Sequence, residues 1–279
     1  MIKALAVLVV AYAGIVAFLY FAQRSLIFPG ARLPSMRLDH PRAPERLELT
    51  TPDGDVLRGM LFRASHDHTD LVIGFGGNTQ DAEVLGQDLA ARLPEAHVVV
   101  FHYRGYGPST GQPSEVALFA DGLVIYDAMV QRLQPARTFA VGISLGSGVA
   151  TYLSKQRPLA GMILVTPFDS IEAIAKEQYF WIPVGLLLHE RFASVAYMQA
   201  NPTPVAVIAA EGDRVVRPQH TAALRKQIPN LVFDRTLAGA SHATIHDLPA
   251  YEATFKEAFE ALGRATPTPG RLRAAPGRP

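Results

Sequence analysis

Gly142-Ile143-Ser144-Leu145-Gly146 decides how this 279-residue chain is read. It follows a short apolar run, Thr138-Phe139-Ala140-Val141, and leads into small residues, Ser147-Gly148-Val149-Ala150. The succession is strand, sharp turn, helix. A serine at the apex of such a turn has its hydroxyl pushed out of the fold. Glycines two positions to either side let strand and helix cross without collision. The pattern suits a serine nucleophile, but a hydroxyl is a weak one at neutral pH. It needs a general base, and that base needs an anion to hold its tautomer.

The partners are sought downstream, in the order acid and then histidine. An apolar strand over 205–210 ends in Glu211-Gly212-Asp213. Asp213 is the chosen acid, with Glu211, nearer the strand, as the alternative; a turn aspartate that only caps the next helix is the plainer role for Asp213. Asp169 also follows a strand and is read as a helix cap. After the last strand comes Ala238-Gly239-Ala240-Ser241-His242, a small-residue loop that lets His242 reach over the serine. His246 is the runner-up base. His66, His68, His97, His102, His189 and His220 are read as surface or capping residues, and no pair of them combines with carboxylates in a metal-binding spacing. A tetrahedral intermediate also needs two backbone N–H donors. Leu145, after the serine, offers one, and Asn78 in Phe75-Gly76-Gly77-Asn78-Thr79 offers the other.

Around these points the chain alternates. A hairpin is predicted over 46–51 and 55–63 across Pro52-Asp53-Gly54. Strands are predicted over 71–75, 97–101, 137–141, 161–165, 205–210 and 231–235. Helices are predicted over 81–93, 114–133, 147–156, 220–227 and 249–262. Short, nearly all-apolar strands alternating with helices imply a mostly parallel sheet covered on both faces. The alternation breaks between Thr166 and Pro204, where Phe180-Trp181-Ile182-Pro183 and Leu186-Leu187-Leu188 form a greasy centre. An excursion after a strand's C-terminal end lies above the ligand crevice. It is read as a small cap over about 167–203, with Phe168, Trp181 and Gly77 as candidate substrate-binding residues. The plainer reading is that these residues simply bury against the sheet or dock on the bilayer.

Ala4–Ala22 carry no charge and are nearly all apolar, enough at helical rise to cover a bilayer core of about 30 Å. Tyr12, Tyr20 and Phe21 suit a membrane interface. The run is longer than a secretory h-region and lacks a clear A-x-A site at its end, so residues 1–22 are read as an anchor, with a signal peptide or a soluble helix as alternatives. Arg24, Arg32 and Arg37 after the run favour a cytoplasmic domain, while the short leading tail favours the opposite topology; the side stays open. Residues 23–45, with five Pro or Gly breakers, are read as a linker and 264–279, Arg- and Pro-rich without an acid, as a disordered tail. The hydrolytic domain is then 46–263. A net charge of +1 gives no sign of nucleic acid, and zero cysteines exclude disulfides and a thiol nucleophile.

From about Arg46 to Leu262 the chain resembles the α/β-hydrolase superfamily. More narrowly, it resembles the membrane-anchored α/β-hydrolase-domain serine hydrolases that include protein depalmitoylases and bacterial relatives. The resemblance rests on Phe75-Gly76-Gly77-Asn78, Tyr103-Arg104-Gly105-Tyr106-Gly107 with Gly111 and Pro113-Ser114-Glu115, Gly142–Gly146, Thr166-Pro167-Phe168, Glu211-Gly212-Asp213 and Ser241-His242. It implies an α/β-hydrolase fold with a small helical cap, Ser144 as nucleophile, Asp213 as acid, His242 as base, Asn78 and Leu145 as oxyanion donors, and no metal or cofactor. One departure stands out: the family usually has His-Gly-Asn where this chain has Gly76-Gly77-Asn78. Arg104 is expected to brace loops near the site or to form an internal salt bridge. The expected activity is hydrolysis of a carboxylic ester or thioester of a lipid-like or acylated substrate. A serine aminopeptidase on the same fold and a non-catalytic membrane scaffold are the alternatives.

Overall fold

Five successive apolar runs leave no polar face to turn toward water, so their strands are buried on both sides. In the computed structural model, which describes residues 1–32, 43–65 and 70–266, β3 (Asp70–Phe75), β4 (His97–Phe101), β5 (Arg137–Ile143), β6 (Gly161–Val165) and β7 (Val205–Ala210) are buried along almost their whole length. The hairpin β1 (Glu45–Thr50) and β2 (Val56–Phe62) and the last strand β8 (Leu231–Leu237) complete one sheet in the order β1-β2-β4-β3-β5-β6-β7-β8. Pairing is antiparallel for β1 with β2 and β2 with β4, and parallel from there on.

Alternate side chains feed two cores. Val99 and Ile73 face one; Val98, Val100 and Val72 face the other. On the first face lie α3 (Glu115–Leu133), α4 (Leu145–Gln156) and α8 (Pro218–Arg225), through Leu118, Val149 and Leu224. On the second lie α2 (Ala82–Arg92) and α9 (Pro249–Ala265), through Leu85, Tyr251 and Phe255. The predicted helices 81–93 and 114–133 each start one residue later because Asp81 and Ser114 serve as caps: Asp81 accepts from the N–H groups of Glu83 and Val84, and Ser114 from that of Ala117. The excursion is helical, with α5 (Ile171–Gln178), α6 (Val184–Leu187) and α7 (Ser194–Met198).

Arg104 forms the expected internal salt bridges. Its buried guanidinium pairs with Asp121 on α3 and with Asp53 and Asp55 of the hairpin turn, so the β1–β2 hairpin is tied to the helix layer. The hydrogen bond from Arg104 holds the Asp53 carboxyl at about 2, well below its usual value.

The N-terminal helix α1 (Ile2–Ile27) is long and apolar enough to cross a membrane, a test that a signal sequence also passes. It does not stop at Ala22. Gln23 and Arg24 continue it because both find partners on the cap, and a 3₁₀ turn over Pro29–Arg32 follows. Phe28 is 2% exposed and sits against Phe192 of the cap, and the Gly30 N–H donates to the Asn78 carbonyl. Residues 23–32 are therefore docked structure where an irregular linker was expected. The rest of the linker over 33–42, His66, His68 and the tail from 267 onward lie outside the described residues, and α9 carries helix to Ala265.

Truncating Phe28 to Ala leaves a cavity between helix end and cap. The expected cost is about 3–5 kcal/mol, read as a lowered unfolding midpoint of the full chain in detergent.

Candidate active site

Strands β5, β7 and β8 run parallel, so the segments that leave their C-terminal ends emerge along one edge of the sheet. At the end of β5 the backbone turns at Ser144 with φ +50° and enters α4 at Leu145, two residues earlier than expected. The turn is possible because its flanking glycines lack a Cβ. One on Gly142 would lie 2.6 Å from the Gly146 carbonyl oxygen, and one on Gly146 would overlap the carbonyl of Phe75 at the end of β3. Elbow and β3 loop are thus pressed together.

The structure brings Ser144, His242 and Asp213 into one relay. His242 Nε2 lies 2.9 Å from Ser144 Oγ, and His242 Nδ1 lies 2.7 Å from Asp213 Oδ2. A carboxylate only accepts, so Nδ1 carries the proton toward Asp213 and Nε2 is left to accept from the serine hydroxyl. Asp213 is buried, and its two oxygens divide the work. Oδ1 accepts from the N–H groups of Val215 and Val216 at 2.9 and 2.8 Å, the turn-capping role; Oδ2 faces the imidazole. Glu211, the alternative acid, instead accepts from the Gly239 N–H at 3.1 Å and braces the loop that carries His242. His246, the alternative base, lies edge-on against Tyr251, and burial lowers its pKa.

Asn78 and Leu145 line the same cavity as Ser144. Among the described residues neither backbone N–H has a protein acceptor, so both remain free to donate. The Gly76–Asn78 loop is held without the family's imidazole. Gln80 accepts from the Gly77 N–H at 3.0 Å, the Tyr103 hydroxyl donates to the Gly76 carbonyl at 2.8 Å, and the Tyr106 hydroxyl donates to the Asn78 carbonyl at 3.0 Å. Burial pushes both phenols up, so they keep their protons as donors.

Three comparisons with known proteins agree on the family and the fold. A family model described as "alpha/beta hydrolase fold" matches residues 71–184. An uncharacterized protein of Mycobacterium tuberculosis is 34% identical over 218 residues, spanning 76% of this chain and 77% of that protein. The chain belongs to the α/β-hydrolase superfamily. Protein bem46 of Schizosaccharomyces pombe is 27% identical over 83% of this chain and 80% of its own length. The lysophosphatidylserine lipase ABHD12 of Danio rerio is 36% identical over 138 residues, 43% of this chain and only 36% of that protein. Among solved structures, the Pyrococcus furiosus esterase Pf2001 superposes with a TM-score of 0.64 at 17% identity, covering 82% of this chain and 98% of that one.

Other residues of this α/β hydrolase depart from the sequence reading. Phe168 lines the cavity, and a Cβ on Gly77 would sit 3.6 Å from that of Ser144. Trp181 is elsewhere: it is 43% exposed, does not line the cavity, and its carbonyl accepts from the Tyr12 hydroxyl of α1. A tryptophan in an apolar run looks like a pocket wall, but here Pro183 turns the chain and α1 takes the contact. His220 is no surface residue. It is buried with Nδ1 2.9 Å from Asp169 and Nε2 2.7 Å from Glu177 of α5, which fastens α8 to the cap. His102 is buried too, and burial lowers its pKa. Asp169 therefore serves His220, and Ser170 caps α5 in its place. Among the described residues no cluster of three or more His, Asp or Glu is placed to hold a metal.

The cavity also uses residues that the sequence reading missed. Tyr20 and Gln23 of α1 and Val215 and Val216 after Asp213 line it. Over residues 4–22 helix α1 is apolar all round and has no stripe to mark which face meets protein; the polar signals come only at its end, in Gln23-Arg24-Ser25.

The close approach at Gly146 is testable. Gly146→Ala should collapse both the elbow and the thermal midpoint. Gly263→Ala, in α9 with nothing within 4 Å of the added methyl, should leave the midpoint unchanged or raise stability by up to about 1 kcal/mol. Thermal denaturation of the two variants separates local collision from a general intolerance of glycine replacement.

Proposed function

We propose that this α/β hydrolase is a membrane-anchored serine hydrolase that cleaves a carboxylic ester or thioester of a lipid-like or acylated substrate. The observation that carries the reading is the Ser144–His242–Asp213 relay opening into an apolar cavity of about 280 Å³. His242 Nε2 takes the hydroxyl proton as Ser144 Oγ attacks the carbonyl carbon, and Asp213 stabilises the imidazolium. The oxyanion accepts from the Asn78 and Leu145 N–H groups. Collapse expels the alcohol or thiol, which leaves with the proton from His242, and the acyl group stays on Ser144. His242 then deprotonates a water that attacks the acyl-enzyme and frees the acid.

The lysophosphatidylserine lipase relative supports a lipid ester as the substrate class, and the apolar α1 supports residence at a membrane. The proposed division is an N-terminal anchor joined to a hydrolase domain over 46–263 with its cap at about 167–203. The aminopeptidase alternative is disfavoured by the cavity lining. It holds no aspartate or glutamate among the described residues to pair with a substrate's ammonium group. The scaffold alternative leaves a complete relay without a purpose.

An active-site-directed fluorophosphonate should label the full chain, and Ser144→Ala should abolish labelling. Asp213→Asn should lower turnover of a p-nitrophenyl ester by about 10⁴-fold, because an amide no longer holds the imidazole in the required tautomer. Equal labelling of wild type and Ser144→Ala overturns the assignment, and aminoacyl-amide turnover above ester turnover would favour the peptidase.

A further inference from the structure

Helix α1 does more than tether. Six of its residues, Val16, Leu19, Tyr20, Gln23, Leu26 and Ile27, line the cavity that holds Ser144. They recur every three or four positions and so form one face. Between them, Phe18 and Phe21 point away, 66% and 82% exposed. The opposite wall is the cap, through Ile171, Ile174, Ile182 and Leu187. The helix end is bonded to the loop beside the serine: Asn78 Nδ2 donates to the Ile27 carbonyl, and the Gly30 N–H donates to that of Asn78.

The cavity's position along α1 decides where it opens. Arg24 is the only charged residue of α1 after Lys3, and it pairs with buried Glu190. With Arg24 at headgroup level, Tyr12 lies about 18 Å deeper at 1.5 Å per residue. At that depth the Tyr12 hydroxyl holds the Trp181 carbonyl, and the two rings lie 6.0 Å apart. The cap tip around it carries Phe180 and Leu186, 84% and 85% exposed. Among the described residues no side chain lining the cavity is charged. A long acyl chain fits such a groove, and a hydrated solute does not.

We propose that α1 is a wall of the acyl-binding site and that the substrate's acyl chain enters sideways from the lipid leaflet, between α1 and the cap. This rests on the serine-hydrolase reading above. Residues Val16 and Leu19 then set the accepted chain length, and Phe180 and Leu186 hold the cap tip among the lipid tails.

The test is chain-length selectivity of the full-length protein in liposomes or detergent, with p-nitrophenyl esters from butyrate to palmitate. Leu19→Trp and Val16→Trp fill the groove and should lower kcat/KM for palmitate relative to butyrate by at least about tenfold. Gly14→Trp, on the far side of α1 where an added Cβ meets nothing within 4 Å, should leave the ratio unmoved. Leu19→Ala, which only removes volume, should shift the preferred chain longer and guards against a misfolded tryptophan variant. Fluorophosphonate labelling of Ser144 is read in parallel. Unlabelled wild type fails the hydrolase reading. Labelled variants with an unchanged ratio, or an equal loss at every chain length, overturn the role of α1 and leave the hydrolase reading intact.

Discussion

The site depends on one steric constraint, the contact of Gly146 with the Phe75 carbonyl. It allows α4 to begin directly against the end of β3, where any side chain would force helix and sheet apart. Because elbow and loop touch, Leu145 and Asn78 come to line one cavity with Ser144 between them. The Ser144 φ of +50° is the local cost of the turn. It is held in place by the Ser144 N–H donating to Val165 on β6 and by the Ser147 N–H and hydroxyl donating back to the Ser144 carbonyl. Strain at the apex is thus surrounded by satisfied backbone groups, and the hydroxyl is held 2.9 Å from His242 Nε2.

Asp213 and His242 reach Ser144 for a topological reason. Parallel strands deliver their C-terminal loops to the same edge, so Asp213 and His242, 29 residues apart, need only short loops to meet. Those loops are tied to each other as well as to the serine. The Gly212 N–H donates to the Ala240 carbonyl, and Glu211 accepts from the Gly239 N–H. Glu211 and Asp213 are thereby distinguished by geometry where their spacing in the chain left both open: one carboxylate fixes the loop and the other fixes the ring.

What was legible in the sequence follows from which forces are local. The strands at 97–101, 161–165 and 205–210 were readable to the residue because apolar runs end abruptly at breakers or polar residues. Helix starts moved one residue later where a side chain caps and the backbone does not yet coil, as at Asp81 and Ser114. The relay was readable because chain order and strand ends constrain it. The roles of His220, Asp169 and Trp181 were not, since each is set by a partner 43 to 169 residues distant that no periodicity announces. Helix α1 shows the same limit in reverse. Uniform hydrophobicity reports that a helix tolerates lipid, and says nothing about which face meets protein.

Gln23 resolves that ambiguity in physical terms. A partly buried amide needs partners at both ends or it destabilises the fold. Its nitrogen donates to the carbonyls of Tyr20 and Leu187, and its oxygen accepts from the His189 N–H at 2.9 Å. One residue further, Arg24 meets Glu190, whose other oxygen accepts from the Glu115 N–H at the start of α3. Phe28 then inserts beside Phe192. Amide, ion pair and aromatic ring succeed one another within six residues, and all three engage the cap. A helix held at three points has a fixed direction relative to the domain. The orientation of the cavity relative to α1 is therefore built into the contacts of residues 23–28.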